Sequence, residues 1–281
     1  MHDGSACTEP LTGGPPGEGV YLYCFARPDA VLPLEGKGVD GQHPLFLRRL
    51  NDVAAVASMI SVEDFSGSAA EARMQDLSWL GPRVCLHEKA VEEVMRYSPV
   101  FPVRFGTIFS SLAILDETLG KHHDAILHFL DWVADKEEWG VKGVLDRGKA
   151  KEQLFSEAVA ACPQRLASLS PGTRYVQEQR MRTAVEKGLS SHLRQACGEM
   201  REDLSDYACK WRDRRVLSGG VDGEEVVANW AFLLVRGAVT EFRERIEQAN
   251  KNHAERGLVF EMTGPWPPYS FCPPLEENEE R

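Results

Sequence analysis

The sequence predicts an α+β protein of two domains, the second a modified ferredoxin-like domain (βαββαβ) with a long helical insertion. Three observations predict it. The chain has 281 residues, more than one average domain holds. Its first half mixes extended and helical patterns, as an N-terminal α+β domain would. Its second half reads strand, helices, strand, strand, helix, strand, which is the split βαβ order.

In the first half, Val20 to Ala26 is apolar on both faces and reads as a buried strand. Gly36 to Gly41 is a loop. Leu45 to Leu50 and Val53 to Ile60 form a strand pair around Asn51-Asp52, a tight-turn dipeptide. Pro82 to Tyr97 is helical, with Val84, Val91, Val94 and Met95 on one stripe. Its prolines confine the extended run Pro99 to Phe105 to a sheet edge. Ile126, Leu127, Leu130, Val133 and Ala134 mark a helix from Gly120 to Asp135.

In the second half, Trp139, Val141 and Leu145 alternate with Glu138, Lys142 and Asp146, the pattern of a half-buried strand. Lys151 to Ala161 is a helix. Ser170-Pro171 supplies an N-cap and a first-turn proline. Val185, Leu189, Leu193, Ala196, Met200, Leu204, Tyr207 and Trp211 then recur in steps of three and four. Gly198 leaves open whether Thr173 to Trp211 is one rod or two. Arg214 to Leu217 is a weak strand, Ser218 to Gly223 a turn, and the apolar run Val226 to Val235 a central strand. A helix from Gly237 to Asn250 buries Val239, Phe242, Ile246 and Ala249, and Leu258 to Met262 closes the sheet. The prolines of Thr263-Gly264-Pro265-Trp266-Pro267-Pro268-Tyr269-Ser270-Phe271 exclude a helix or a central strand. That segment is expected to leave the sheet extended, pinned by Trp266 and Tyr269 to its own domain. The expected boundaries are a disordered Gly/Pro-rich leader over 1–19, domains over 20–136 and 137–272, and an acidic tail over 273–281.

Composition narrows the function. With 43% hydrophobic and 27% charged residues, the chain reads as an ordinary soluble globular protein. No apolar run approaches the ~20 residues of a membrane span. Met1 to Gly19 lacks the pattern of a signal peptide, so a cytoplasmic setting is expected. A net charge of −11 argues against a nucleic-acid partner. The 7 scattered cysteines contain no C-x-x-C and read as reduced thiols.

No motif assigns a catalytic, cofactor-binding or metal-binding residue, and no cofactor is expected. Gly36-Lys37-Gly38-Val39-Asp40-Gly41 fits G-x-G-x-x-G, but Pro33 and Pro44 flank it and no helix follows. His87-Glu88 opens like a zinc-protease helix, yet Val91 stands where the second histidine belongs. His87 is therefore expected to be packed and hydrogen-bonded, with Glu88 at the border of the stripe. His122, His123 and His128 point to different helix faces. Arg104, before a glycine turn, could pair with a buried carboxylate or bind an anion, and the structural pair is the expectation. Arg212-Asp213-Arg214-Arg215 reads as a solvated charge cluster, and Trp139 and Trp230 as core.

Several segments, taken in order, resemble the gas vesicle protein F and L family. They are Leu77-Ser78-Trp79-Leu80, His87-Glu88, Pro99-Val100-Phe101-Pro102-Val103-Arg104-Phe105-Gly106-Thr107 and Glu138-Trp139-Gly140-Val141-Lys142. Ala231-Phe232-Leu233-Leu234-Val235 and Thr263 to Phe271 complete the set. The resemblance implies a non-catalytic minor gas vesicle protein with a ferredoxin-like C-terminal domain. It implies action in early assembly and buoyancy, with gas vesicle shell protein A as the partner, beside other minor vesicle proteins. Binding that small hydrophobic subunit would limit its aggregation, and the setting would be the gas vesicle. Fold alone supports a second reading, a ligand-sensing regulatory module.

Overall fold

The computed structural model describes residues 17–29, 34, 36–65, 68–216 and 224–275. The expected leader up to residue 16, the turn over 218–223 and the acidic tail from 276 lie outside them. The chain forms two compact units, one running to Asp135 and resuming at Pro267, the other Lys136–Trp266.

The first unit contains β1 (Glu18–Ala26), β2 (Leu45–Leu50), β3 (Val53–Ser61), α1 (Ser68–Gln75), α2 (Leu77–Met95), β4 (Val100–Pro102), β5 (Ile108–Phe109) and α3 (Leu112–Val133). Its sheet has the order β2-β3-β1-β4, with β5 also on β1, and every pairing is antiparallel. The expected leader gives way to β1 at Glu18, where the chain already pairs with Ser61. Asn51 takes φ 50° in the β2–β3 turn, a conformation asparagine tolerates. A bulge between Leu22 and Cys24 breaks the alternation of β1. Tyr21 and Tyr23, then Cys24 and Ala26, consequently share one core with Ala90, Val91 and Val94 of α2. Phe25 instead meets Phe101, which stacks edge-on against Phe129 of α3.

Two helices of the first unit start earlier than the pattern suggests. Asp76 caps α2 by accepting the Ser78 amide, so Pro82 stands inside the helix rather than at its start. Proline there removes one helical amide donor, a cost offset by burial of His87, Ala90, Val91 and Val94 further on. Ser111 caps α3, and Leu115 and Leu119 continue its buried stripe upstream of Gly120.

The second unit contains β6 (Lys136–Asp146), α4 (Arg147–Ala160), α5 (Pro163–Ala167), α6 (Pro171–Ser205), β7 (Lys210–Asp213), β8 (Glu224–Val235), α7 (Val239–His253) and β9 (Leu258–Trp266). Its sheet order, β7-β8-β6-β9, is the antiparallel order of a ferredoxin-like fold, with β8 and β6 central. Trp139, Val141, Trp230, Phe232, Leu234 and Phe260 form one core with Met200 and Leu204 of α6 and Phe242 and Ile246 of α7. α6 is a single helix of 35 residues, capped by Ser170 with proline in its first turn. Gly188 and Gly198 each cost about 1 kcal/mol against alanine. Burial of Leu189, Cys197, Met200 and Leu204 outweighs that cost. Trp211 lies in β7 rather than on the helix, and the weak strand expected over 214–217 sits four residues earlier, at Lys210–Asp213.

β9 also runs beyond its expected end, through Pro265 to Trp266. It is an edge strand, paired with β6 alone, so a residue without an amide donor is tolerated. On its outer side Asn250 of α7 brackets Phe260, donating to its carbonyl at 2.8 Å and accepting its amide at 2.7 Å. Gly264 adopts φ +132°, and a Cβ there would lie 3.0 Å from the Glu138 carbonyl and 3.1 Å from the Trp139 ring. Gly264→Ala is therefore expected to cost about 1–3 kcal/mol, read as a fall in the thermal midpoint. An unchanged midpoint would show that the strand end relaxes freely.

The expected C-terminal boundary at 272 is corrected. From Pro267 onward the chain belongs to the first unit. Tyr269 pins it there rather than to the ferredoxin-like domain.

Candidate functional site

Three segments of the first unit converge on His87. The α2 stripe buries His87, Ala90, Val91 and Val94, at helical steps of three and four, and leaves the imidazole with no solvent exposure. Tyr21 reaches its Nδ1 from β1 at 3.0 Å. The Gly106 amide donates to the Tyr21 hydroxyl at 2.9 Å, in a turn where Gly106 takes φ +86°. On the other side Nε2 lies 3.1 Å from the Tyr269 hydroxyl, which donates to Glu88 Oε1 at 3.1 Å. Since that hydroxyl proton goes to Glu88, Nε2 carries the imidazole proton and Nδ1 accepts from Tyr21. The ring of Tyr23 stacks on His87, and Phe105 meets it edge-on. Tyr23 itself holds Ser58 at 2.9 Å and the Val39 amide at 2.8 Å.

Burial fixes the protonation states. Desolvation pushes the His87 pKa down to about 4, with the Val103 carbonyl partly opposing. Desolvation likewise raises the phenols of Tyr21 and Tyr269, and takes Tyr23 to about 12. The Glu88 carboxyl is raised by burial and drawn back by the Tyr269 hydroxyl. The thiols of Cys24 and Cys197 are raised by burial as well, and Cys197 reaches about 11. At neutral pH the cluster holds a neutral imidazole and protonated phenols, each with its hydrogen bonds made. Such an arrangement positions chain segments. It fastens Pro267 onward to α2, with Phe271 buried and the Cys272 thiol 3.6 Å from the Pro102 carbonyl.

The other sequence candidates fall elsewhere. The Gly36–Gly41 loop is folded by Asp40, which accepts the Gln42 and His43 amides. Gly38 lies against Ser58 and Tyr23, where a Cβ would come within 2.4 Å of the Ser58 hydroxyl. Arg104 is exposed and, among the described residues, no carboxylate pairs with it, so the expected buried pair is replaced by a solvated side chain. His123 sits beside Asp124 at 3.1 Å, and His128 is exposed. Among the described residues, no group of three His, Cys, Asp or Glu side chains is placed to hold a metal ion. No helix among them is long and apolar enough to cross a membrane.

Trp139 and Trp230 are core, as expected, whereas Trp266 is 39% exposed. One element escaped sequence reasoning. Arg214, read as solvated, pairs with Glu138, whose carboxylate is fully buried. The two lie 76 residues apart, and no local pattern links them. In sequence Glu138 falls on the polar face of an alternating strand, with Lys142 and Asp146, so the pattern assigned it to solvent.

The family model described as Gas vesicle synthesis protein GvpL/GvpF matches residues 19–273. Gas vesicle protein L of Streptomyces sp. (strain CB03234) is 29% identical over 262 residues, 92% of this chain and 94% of that one. Gas vesicle protein F of Dolichospermum flosaquae is 23% identical over 258 residues, with 90% and 97% covered. The crystal structure of GvpF from Anabaena sp. PCC7120 matches with a TM-score of 0.65 at 18% identity. It covers 91% of this chain and 98% of its own, a likeness of fold.

Proposed function

The chain belongs to the GvpL/GvpF family of gas vesicle synthesis proteins, and on that premise we propose that it binds the small apolar shell subunit and limits its aggregation during vesicle assembly. Membership gives the chain a gas vesicle-related role. The finer reading is that it is a non-catalytic assembly factor working in the cytoplasm at the nascent vesicle. A subunit that tiles a gas-facing wall must be strongly apolar and prone to pair through strand edges, so a protein that occupies such an edge keeps it in solution.

The observation that supports this reading is strand β2. It is an edge strand that pairs with β3, and on its outer side the Leu45 amide donates to the Gly36 carbonyl at 3.3 Å, which covers the start of the strand and not Leu47 or Arg49. It carries Leu45, Phe46, Leu47 and Leu50, all half-buried. The two-residue turn makes Leu50 and Val53 a directly paired couple, so the amides of Leu47 and Arg49 point outward. An extended apolar segment fits there by strand addition. The competing edges are less open. β7 has four residues, and Asn250 occupies the outer side of β9 at Phe260.

The test is co-expression with the shell protein, affinity capture, and sedimentation of the shell protein. Capture with more shell protein left soluble is the expected result. Arg49 is exposed, so Arg49→Pro removes an outward amide without a ladder bond. It is expected to lower capture about ten-fold while leaving the fold intact. Undiminished capture by Arg49→Pro would remove the β2 edge as the contact. No capture by the wild type would remove the proposed role.

A further inference from the structure

The arm built by α4, α5 and the N-terminal half of α6 carries a charge opposite to that of the whole chain. From Arg147 to Lys187 there are eight Lys or Arg and four Asp or Glu residues, in a chain of net charge −11. Each of the four acids is engaged. Glu152 pairs with Arg182 at 3.1 Å, Glu157 with Arg256 at 3.0 Å, Glu178 with Arg174 at 2.9 Å and Glu186 with Lys151 at 2.6 Å. Arg147 is held by Glu225 at 2.7 Å. That leaves Lys149, Arg165, Arg180 and Lys187 exposed, with no carboxylate partner among the described residues.

Two apolar side chains stand beside Arg180. Tyr175 is 63% and Val176 50% exposed, although both lie on a helix whose buried side chains begin only at Leu189. With Gln179, Arg180 and Thr183 they line a shallow groove. Val176, Arg180, Thr183 and Lys187 follow at steps of four, three and four, so they form one stripe along α6. Apolar anchors at one end of a stripe and unpaired cations along it match the two faces of another helix.

We propose that this stripe docks an acidic amphipathic helix of a partner protein. Its apolar side chains seat on Tyr175 and Val176, and its carboxylates face Arg180 and Lys187. Charge complementarity selects the partner. The cations of the stripe have no acid of their own, and the rest of the chain repels anything acidic that approaches elsewhere. The same overall charge disfavours a nucleic acid, which needs a continuous basic face. Two exposed apolar side chains are too few for a helix lying in a membrane interface. The stripe lies in the second unit and does not rest on the reading of β2.

The experiment uses the full chain and two labelled synthetic helices with the same leucine stripe, one with a glutamate polar face and one with a lysine polar face. Binding is followed by fluorescence anisotropy at low and at half-molar salt. The glutamate helix is expected to bind and to weaken with salt, and the lysine helix is not. Joint Arg180→Glu and Lys187→Glu substitution is expected to weaken binding about ten-fold or more. Tyr175→Ser with Val176→Ser should weaken it too, while Lys121→Glu on α3 leaves it unchanged. Circular dichroism checks that each variant is folded. Equal binding of the two helices would overturn the proposal. So would an Arg180/Lys187 double variant that binds as the wild type does, or capture of the chain by anionic vesicles and not by the glutamate helix.

Discussion

Lowering the pH from neutrality to about 4 is expected to strip roughly 3 kcal/mol from the first unit through His87 alone. The imidazole is fully buried, and its folded pKa lies near 4 against an ordinary 6.5. The sign follows from where the proton goes. Between these values the unfolded chain binds a proton that the folded chain refuses. Stability is therefore complete above about 6.5, declines as the pH falls through the window, and stops declining below about 4. Glu88 works in the opposite sense, because its raised carboxyl takes up a proton in the folded state before it does so in the unfolded chain. Its contribution blunts the acid end of the decline. The measurement is the urea midpoint across this pH range for the wild type and for His87→Gln. The variant should start lower, by about 1–3 kcal/mol, because Tyr21 and Tyr269 lose buried partners. It should then show a flatter pH profile. Parallel profiles would place the titration on some other group.

The same cluster shows what the sequence could and could not disclose. That His87 is packed was readable from its helical spacing to Val91 and Val94, since the 3.6-residue period places all three on one stripe. That Tyr269 meets it was not, because the contact joins residues 182 positions apart and no periodicity spans that distance. The proline-rich segment looked like a strand end, and its first part is one. Its second part belongs to the other unit, a fact carried by tertiary contacts alone. β1 hid its bulge behind side chains that are apolar on both faces. Trp211 fitted a helical stripe and a short strand equally well, and tertiary pairing with Phe232 decided for the strand. α6 was legible because its stripe persists over many turns, which outweighs two glycines. The exposed face of that helix was less so. Periodicity reports what a helix buries, and the docking stripe is what it leaves open.

Removing Arg214 is expected to have the largest effect in the second unit. The Glu138 carboxylate has no solvent exposure, and Arg214, itself about one-third exposed, brings a cation to it from the residue after β7. Burying the pair contributes little net stability, but withdrawing Arg214 takes the cation away from a carboxylate with no solvent exposure. Arg214→Ala should therefore cost about 3–5 kcal/mol, visible in the urea midpoint. The neighbouring sequence supports the assignment. In Glu138-Trp139-Gly140 each residue has a distinct task. Glu138 supplies the acid and Trp139 enters the core. Gly140 leaves room for the guanidinium, since a Cβ there would lie 3.3 Å from Arg214 Nη1 and 2.9 Å from Thr263 Oγ1. The discriminating comparison adds Glu138→Leu to Arg214→Met. If the cost comes from a stranded charge, the double variant should recover most of the stability, because no buried charge remains. If Arg214 matters only by filling space beside Gly140, the methionine alone should suffice and the leucine should add nothing. Arg214→Ala within about 1 kcal/mol of the wild type would mean that Glu138 is neutral or otherwise satisfied in the folded protein.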